Sequence, residues 1–302
     1  MNSEEEVGIL RGYTVRYDPT VIPLYPDIAH APELPAEGYG GGFYSAESYT
    51  RLYASGELSP VTVAKKLLGL VNPDVRASER KAGKRGLATA WCSVNANLVL
   101  KQAKESERRW AVHRARLRGE YVPDSEPGVR FVEMSGGRKG CIEGVFIGVK
   151  DELLIQDYPL TFGTTRHLPD YPAPSTETAW AIKMLLENGA VLLGITTMHE
   201  WGLDTTNCNP LQGTPLNPYS PEYYPGGSSG GSASAVGCGI VPISVGCDGG
   251  GSVRVPAAYC GVYGLKTSHG RVSERPQVLG APSVRPSSPL YEPQLNLNVC
   301  GI

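Results

Sequence analysis

The 302-residue chain lacks the features that mark several large classes of protein. Its seven cysteines form no Cys-x-x-Cys pair and are odd in number, which argues against a disulfide framework and against a zinc site. No uninterrupted apolar run approaches the length of about 20 residues that crosses a membrane. The acidic start MNSEEEVGIL is also unlike a secretory signal. We therefore expect a cytoplasmic protein with no transmembrane segment, no metal and no cofactor.

The chain also lacks an excess of charge. Lysine and arginine number 28 against 30 aspartates and glutamates, so the net charge of −2 gives no general attraction to nucleic acid or to anionic membranes. Basic residues concentrate at 76–85 and 108–118, but no aromatic stacking platform accompanies either run. We interpret both runs as solvated helix and loop surface and expect no nucleic-acid partner. The oligomeric state is not indicated.

Composition divides the chain into three parts. Residues 1–43 are rich in proline and glycine and predict an extended N-terminal arm, whereas residues 274–302 form a proline-rich tail. Residues 44–273 alternate amphipathic helices with short apolar strands, which predicts α/β layering. Within this core, Ser45, Ser59 and Thr176 are expected to cap helices, and strands are expected at 145–149, 190–195 and 240–245.

One glycine- and serine-rich stretch, residues 226–266, organises the core. Its clusters GGSSGG at 226–231 and GGGS at 249–252 flank a short apolar segment, so two sharp turns are expected to lie close together. Glycines also serve close packing, which is the ordinary alternative. A phosphate-binding loop is disfavoured because neither cluster is followed by Gly-Lys-Ser/Thr and no Gly-x-Gly-x-x-Gly follows a strand.

The stronger interpretation is nucleophilic catalysis by Ser252. The three preceding glycines leave backbone N–H groups open to a developing oxyanion, and the serine hydroxyl could then attack a carbonyl carbon. The five histidines form no obvious triad in sequence, whereas Lys150 ends a predicted strand and could act as the base. From the residues alone, the favoured interpretation of Lys150 is a solvated strand-end lysine, and that of Ser228 is a helix cap.

Longer motifs make the interpretation specific. PGGSSGGS at 225–232, CDGGGSVRVPA at 247–257 and CGVYGLKT at 260–267 resemble the signature of the amidase signature family. GVFIGVKD at 144–151 is similar to the lysine strand of that family, and TMHE at 197–200 and GTPLNP at 213–218 resemble its intervening segment. The resemblance extends over about residues 45–273.

The resemblance implies a catalytic triad: Ser252 as nucleophile, Ser228 as bridging serine and Lys150 as base. It implies a cis peptide bond between Gly227 and Ser228. It also implies an α/β fold with α/β/α layers around a mixed β-sheet, and hydrolysis of the carbon–nitrogen bond of a small-molecule amide through an acyl-enzyme. The residues expected to bind substrate or the oxyanion are Gly202, Gly249, Gly250 and Gly251.

Three departures from the family pattern accompany the resemblance. Gly249 stands where relatives have a bulkier residue, which loosens the turn expected to hold the oxyanion amides. Cys247 stands where relatives usually have threonine, which removes a hydroxyl that helps to orient the bridging serine. Members of the family also continue well beyond the position that corresponds to Ser273, so the core is expected to be truncated at its C-terminal side. A catalytically silent truncated fragment and an amidotransferase subunit therefore stay open as alternatives to the amidase.

Overall fold

The computed structural model describes residues 43–123, 142–164, 174–268, 272 and 297–301. The predicted N-terminal arm lies outside these ranges except for Phe43, and so does most of the predicted tail. The helices of the described part are α1 (Ala46–Ser55), α2 (Pro60–Val71), α3 (Pro73–Lys81), α4 (Ala96–Leu117), α5 (Trp180–Glu187), α6 (Gly230–Gly237) and α7 (Arg254–Tyr259). The strands are β1 (Trp91–Ser93), β2 (Phe146–Lys150), β3 (Val191–Thr196), β4 (Ile243–Cys247), β5 (Tyr263–Leu265) and β6 (Leu297–Gly301).

Side-chain caps begin the first helices. The Ser45 hydroxyl accepts from the backbone N–H of Ser48 at 3.1 Å, and the Ser59 hydroxyl accepts from that of Thr62 at the same distance. Each bond satisfies a helix N–H that has no partner within the helix. The caps predicted at Ser45 and Ser59 are confirmed.

The cap predicted at Thr176 is wrong. α5 begins only at Trp180, after Ala179, and no side chain caps it. The preceding residues are tied to a neighbouring loop instead, because the Thr178 hydroxyl accepts from Gln156 N at 3.0 Å and Ala179 N donates to Leu154 O at 2.8 Å. Because these hydrogen bonds to a neighbouring loop fix the residues before Trp180 outside the helix, they override the local preference for a helix start at Thr176.

The described strands form one mixed six-stranded sheet in the order β1-β3-β2-β4-β6-β5. β2 runs parallel to both β3 and β4. β1 pairs antiparallel with β3, and β6 pairs antiparallel with β4 and with β5. β6 thus lies between two strands that precede it in the chain.

Apolar cores cover both faces of the sheet. Phe146, Val191 and Leu193 face a core shared with α1, α2, α4 and α6, whereas Ile147 and Leu192 face a second core shared with α5. Alternate residues of a strand point to opposite faces, so strands buried on both sides are apolar almost throughout. The predicted α/β/α layering around a mixed sheet is confirmed. None of the helices in the described ranges has the length and apolar composition of a membrane span.

The basic run at 76–85 is less solvated than predicted. α3 contains its first half, and the Arg76 guanidinium turns inward to donate to Gln212 O at 2.7 Å and Cys92 O at 3.2 Å. Backbone carbonyls in partly buried loops need such donors. Arg76 therefore ties a helix to two distant segments.

The three parallel strands end at the same edge of the sheet. Lys150, Thr196 and Cys247 are the last residues of β2, β3 and β4. In open α/β sheets, ligands bind beyond the carboxyl ends of the strands. This edge therefore is the natural place for a functional site.

Candidate active site

Lys150 ends β2 with its side-chain nitrogen inside the protein. Its side chain is 1% exposed, and Nζ lies 2.8 Å from Ser228 Oγ and 3.3 Å from the carbonyl oxygen of Cys247. Glu152 supplies a carboxylate oxygen 2.7 Å from the same nitrogen. A solvated strand-end lysine is thereby excluded.

The first turn, residues 226–231, is buried throughout. The peptide bond between Gly227 and Ser228 is cis, as predicted from the resemblance. A side chain at Gly227 would not fit, because its Cβ would lie 2.8 Å from Asn207 N and 2.9 Å from Asp204 O. The carbonyl of Ser228 accepts from His199 N at 3.0 Å. Backbone contacts on both sides thus fix Ser228 against Lys150.

The second turn, residues 247–252, is organised by the buried Asp248. One carboxylate oxygen accepts from Gly251 N at 2.6 Å, and the other accepts from Val253 N at 3.1 Å. Arg254 adds a two-pronged ion pair, with Nη2 and Nε each 2.9 Å from a different oxygen. The acid and the guanidinium therefore brace the turn that presents Ser252, which is only partly buried.

The ionisation of Asp248 follows from these contacts. Burial alone would raise the pKa of Asp248, but hydrogen bonds from Arg254 and from the N–H groups of Val253 and Gly251 outweigh burial and hold the pKa well below its usual range. Such hydrogen bonds favour the charged form of a carboxyl group. The second turn therefore contains a carboxylate at neutral pH.

Backbone bonds join the two turns. Ser229 N donates to the carbonyl oxygen of Ser252 at 3.0 Å, and Ser229 Oγ donates to the carbonyl oxygen of Cys247 at 3.3 Å. The Cys247 carbonyl also accepts from Lys150. The structure thus brings the three residues expected to form the triad to one end of the sheet, with Ser228 and Lys150 in direct contact.

The glycines expected to bind substrate lie in different surroundings. Gly202 has a left-handed φ of 70°, and a Cβ built on it would lie 3.5 Å from Ser228 Oγ. Gly249 and Gly250 are exposed in the second turn. The N–H of Gly251 is engaged by Asp248. Gly202 therefore borders Ser228, and Gly249 and Gly250 lie at the protein surface.

Sequence reasoning missed two carboxylates beside Lys150. Asp151 accepts from the N–H of Thr161 and of Gly163, each at 2.9 Å, and so holds a loop against the end of β2. Burial raises the pKa of Asp151, although these hydrogen bonds oppose that rise. Glu152 contacts the lysine itself. No sequence periodicity points to Glu152, because it lies in the turn that follows β2.

A separate cleft lies away from this edge. This cleft of about 860 Å³ contains none of the residues discussed as the triad, and Ala190, at the amino end of β3, is part of its lining. Among the described residues, no group of three or more histidine, cysteine or carboxylate side chains is arranged to hold a metal ion. The carboxyl edge of the sheet therefore remains the candidate active site.

Comparisons with known proteins agree with this fold. A model of the amidase family matches residues 131–290. Fatty acid amide hydrolase from Arabidopsis thaliana is 32% identical over 229 residues, which cover 76% of this chain and 32% of that protein. The crystal structure of a bacterial aryl acylamidase of the amidase signature family superposes with a TM-score of 0.59 at 29% identity, covering 78% of this chain and 42% of that one. The chain belongs to the amidase signature family.

A second kind of relative shares part of the chain. A glutamyl-tRNA(Gln) amidotransferase subunit from Salinibacter ruber is 42% identical over 154 residues, which cover 51% of this chain and 29% of that protein. The chain spans about a third of the length of these curated relatives. The activity of a whole relative therefore comes to this chain only as a proposal.

Proposed function

We propose that this chain carries the catalytic centre of an amidase that cleaves a carbon–nitrogen amide bond through an acyl-enzyme on Ser252. The observation that carries the proposal is the buried contact of 2.8 Å between Lys150 Nζ and Ser228 Oγ, beside the turn that presents Ser252. A lysine held in this way has one serine within reach and a second serine in the adjoining turn. The proposed substrate is a small-molecule amide.

The proposed chemistry is a proton relay. Neutral Lys150 accepts the proton of Ser228, Ser228 accepts that of Ser252, and the Ser252 oxygen attacks the carbonyl carbon. The relay then returns a proton to the departing amine, and water releases the acyl group. The hydrogen bond of 3.0 Å from Ser229 N to the carbonyl oxygen of Ser252 supports a proton path from Ser252 through Ser228 to Lys150, because it joins the two turns that carry the serines.

The proposed oxyanion site uses backbone N–H groups of the second turn. Gly249 and Gly250 are exposed and carry no side chain that would keep a substrate away. Because Gly251 N already donates to Asp248, we assign the oxyanion to the two preceding amides and give Gly251 the task of holding the turn. Preorganised donors of this kind stabilise the charge that develops in the transition state. Gly202 is proposed to border the substrate on the side of Ser228.

A fluorophosphonate probe, which phosphonylates activated serines with release of fluoride, tests the proposal. The purified wild-type chain is expected to be labelled at Ser252, whereas Ser252→Ala is expected not to react and Lys150→Ala to react at least about 100-fold more slowly. Circular dichroism checks that each variant is folded. Labelling that persists in Ser252→Ala would refute the assignment of the nucleophile.

Two alternatives give different results. The match to the amidotransferase subunit favours a centre that passes ammonia to an acyl-tRNA, and hydrolysis of a simple amide without added partners would argue against an obligate subunit. A folded wild-type chain that never reacts with the probe would instead favour a catalytically silent fragment. The same preparation therefore separates all three proposals.

A further inference from the structure

The ion pair between Lys150 and Glu152 is unusual because it is buried. The side chains are 1% and 9% exposed, and Nζ lies 2.7 Å from Oε2. Removing two charges from water costs several kcal/mol per ion in real proteins, and the mutual attraction often fails to recover that cost. A buried pair is therefore weak evidence for added stability, and another role must be considered.

Lys150 Nζ is surrounded by oxygen atoms from three different residues. Three oxygens surround the nitrogen: Ser228 Oγ at 2.8 Å, Glu152 Oε2 at 2.7 Å and the carbonyl of Cys247 at 3.3 Å. An ammonium group has three N–H donors and no acceptor. A neutral amine has only two N–H donors and a lone pair. Ser228 O–H can donate to that lone pair, so the neutral amine is accommodated, and the ammonium formed when it accepts a proton has the Glu152 carboxylate 2.7 Å away.

The backbone fixes the carboxylate in this position. Glu152 N donates to Lys150 O at 2.7 Å, which closes a tight turn directly after β2. On the side of Gly202, a Cβ built on that glycine would lie 3.9 Å from Glu152 Oε1 and 3.5 Å from Ser228 Oγ. Glu152 thus borders the same small space as the bridging serine, and its other oxygen reaches the lysine.

We propose that Glu152 is a positioning residue for the amidase reaction, a role that rests on the proposed function above. As the Ser252 oxygen bonds to the carbonyl carbon, the C=O electron pair moves to oxygen, the Ser252 proton moves to Ser228, and the Ser228 proton moves to Lys150. Glu152 neither gains nor loses a proton in this step. Its negative charge stabilises the ammonium as that charge forms, much as a carboxylate stabilises the imidazolium of a serine–histidine–aspartate triad.

The test compares substitutions that separate charge from shape. Glu152→Gln keeps the shape and removes the charge, whereas Glu152→Asp keeps the charge on a shorter side chain. Glu187→Gln is the matched control, because Glu187 forms an exposed pair with Lys183 at 3.8 Å. For each variant, the fluorophosphonate probe gives two separate readings: the fraction of chains that can be labelled and the rate constant of labelling. Circular dichroism checks the fold.

The rate constant is expected to fall at least about 10-fold in Glu152→Gln, to fall less in Glu152→Asp and to stay unchanged in Glu187→Gln. The labelled fraction is expected to remain as in the wild type. If Glu152→Gln reacts at the wild-type rate, or if Glu152→Asp reacts more slowly than Glu152→Gln, the proposal that the charge of Glu152 stabilises the Lys150 ammonium is refuted. A smaller labelled fraction with an unchanged rate constant would show a structural role and would also overturn it. A wild-type chain that does not react refutes the proposed function itself, which is a separate outcome.

Discussion

The first turn, residues 226–231, and the second turn, residues 247–252, share a glycine- and serine-rich composition but differ in what surrounds them. In the first turn every residue is buried, and a Cβ on Gly231 would lie 2.6 Å from Thr197 N and 2.7 Å from Ala90 O. In the second turn Gly249 and Gly250 are exposed, and a Cβ on Gly250 would meet no atom within 4 Å. Glycine therefore serves close backbone packing in one turn and open access in the other.

The largest loss of stability is expected from a substitution in the first turn. The methyl group of Gly231→Ala would collide with the backbone of Thr197. Because the interior is closely packed, the main chain would have to shift to make room for it. We expect the free energy of unfolding to fall by about 3 kcal/mol, measured by urea denaturation of the purified chain.

Gly69→Ala provides the matched control for that substitution. Gly69 also lies within a helix, but its Cβ would meet nothing within 4 Å, so alanine is expected to stabilise the fold by about 0.5 to 1 kcal/mol. Equal effects of the two alanines would contradict the close packing assigned to the first turn.

An intermediate effect is expected from Asp248→Asn in the second turn. Asparagine keeps the shape but loses the charge that accepts from Arg254 and from the turn's N–H groups, so stability should fall by about 2 kcal/mol at neutral pH. The exposed Asp204, whose carboxylate accepts from Thr206 N at 2.6 Å, offers a control substitution to asparagine with a much smaller effect.

The Asp248 effect should depend on pH in a defined direction. The folded-state pKa of Asp248 lies below the unfolded value of about 3.9. The carboxylate therefore stabilises the fold above about pH 4, and this contribution is lost as the pH falls toward the lowered pKa. The stability difference between the wild type and Asp248→Asn should shrink on acidification. A difference that stays constant from about pH 7 to about pH 3 would argue against a stabilising charge.

The smallest effect should come from Gly250→Ala. Because the new methyl group would meet no neighbouring atom, the free energy of unfolding should change by no more than about 0.5 kcal/mol. The rate of fluorophosphonate labelling is nevertheless expected to fall, since the methyl group stands beside the amides proposed to hold the oxyanion. A large loss of stability would show that the second turn is packed as tightly as the first.

The sequence alone predicted the two turns, two of the helix caps and the position of Lys150. The two glycine clusters about an apolar strand predicted neighbouring turns, and β4 lies between them. Ser45 and Ser59 were recognised as caps because their side chains act on N–H groups only three residues away. The placement of Lys150 at the end of a buried strand followed from a run of β-branched and apolar residues.

The features that the sequence did not predict depend on contacts between segments that are distant in the chain. Composition gives no sign that Arg76 reaches the Gln212 carbonyl, 136 positions away. The late start of α5 followed from bonds to the loop around Leu154, which local helix signals do not contain. Glu152 was overlooked because a charged residue after a strand is ordinarily solvated, and only the tertiary fold shows that this one faces Lys150.

The order of the sheet has a consequence for synthesis on the ribosome. β4 pairs on one side with β2, which is made earlier, and on the other side with β6, whose residues 297–301 are made long afterwards. Until β6 has emerged, the strand that carries Cys247 presents an open edge of unpaired N–H and C=O groups. The carbonyl that accepts from Lys150 therefore sits on a strand whose pairing is completed late, and nascent chains should be most prone to edge-to-edge association during that interval.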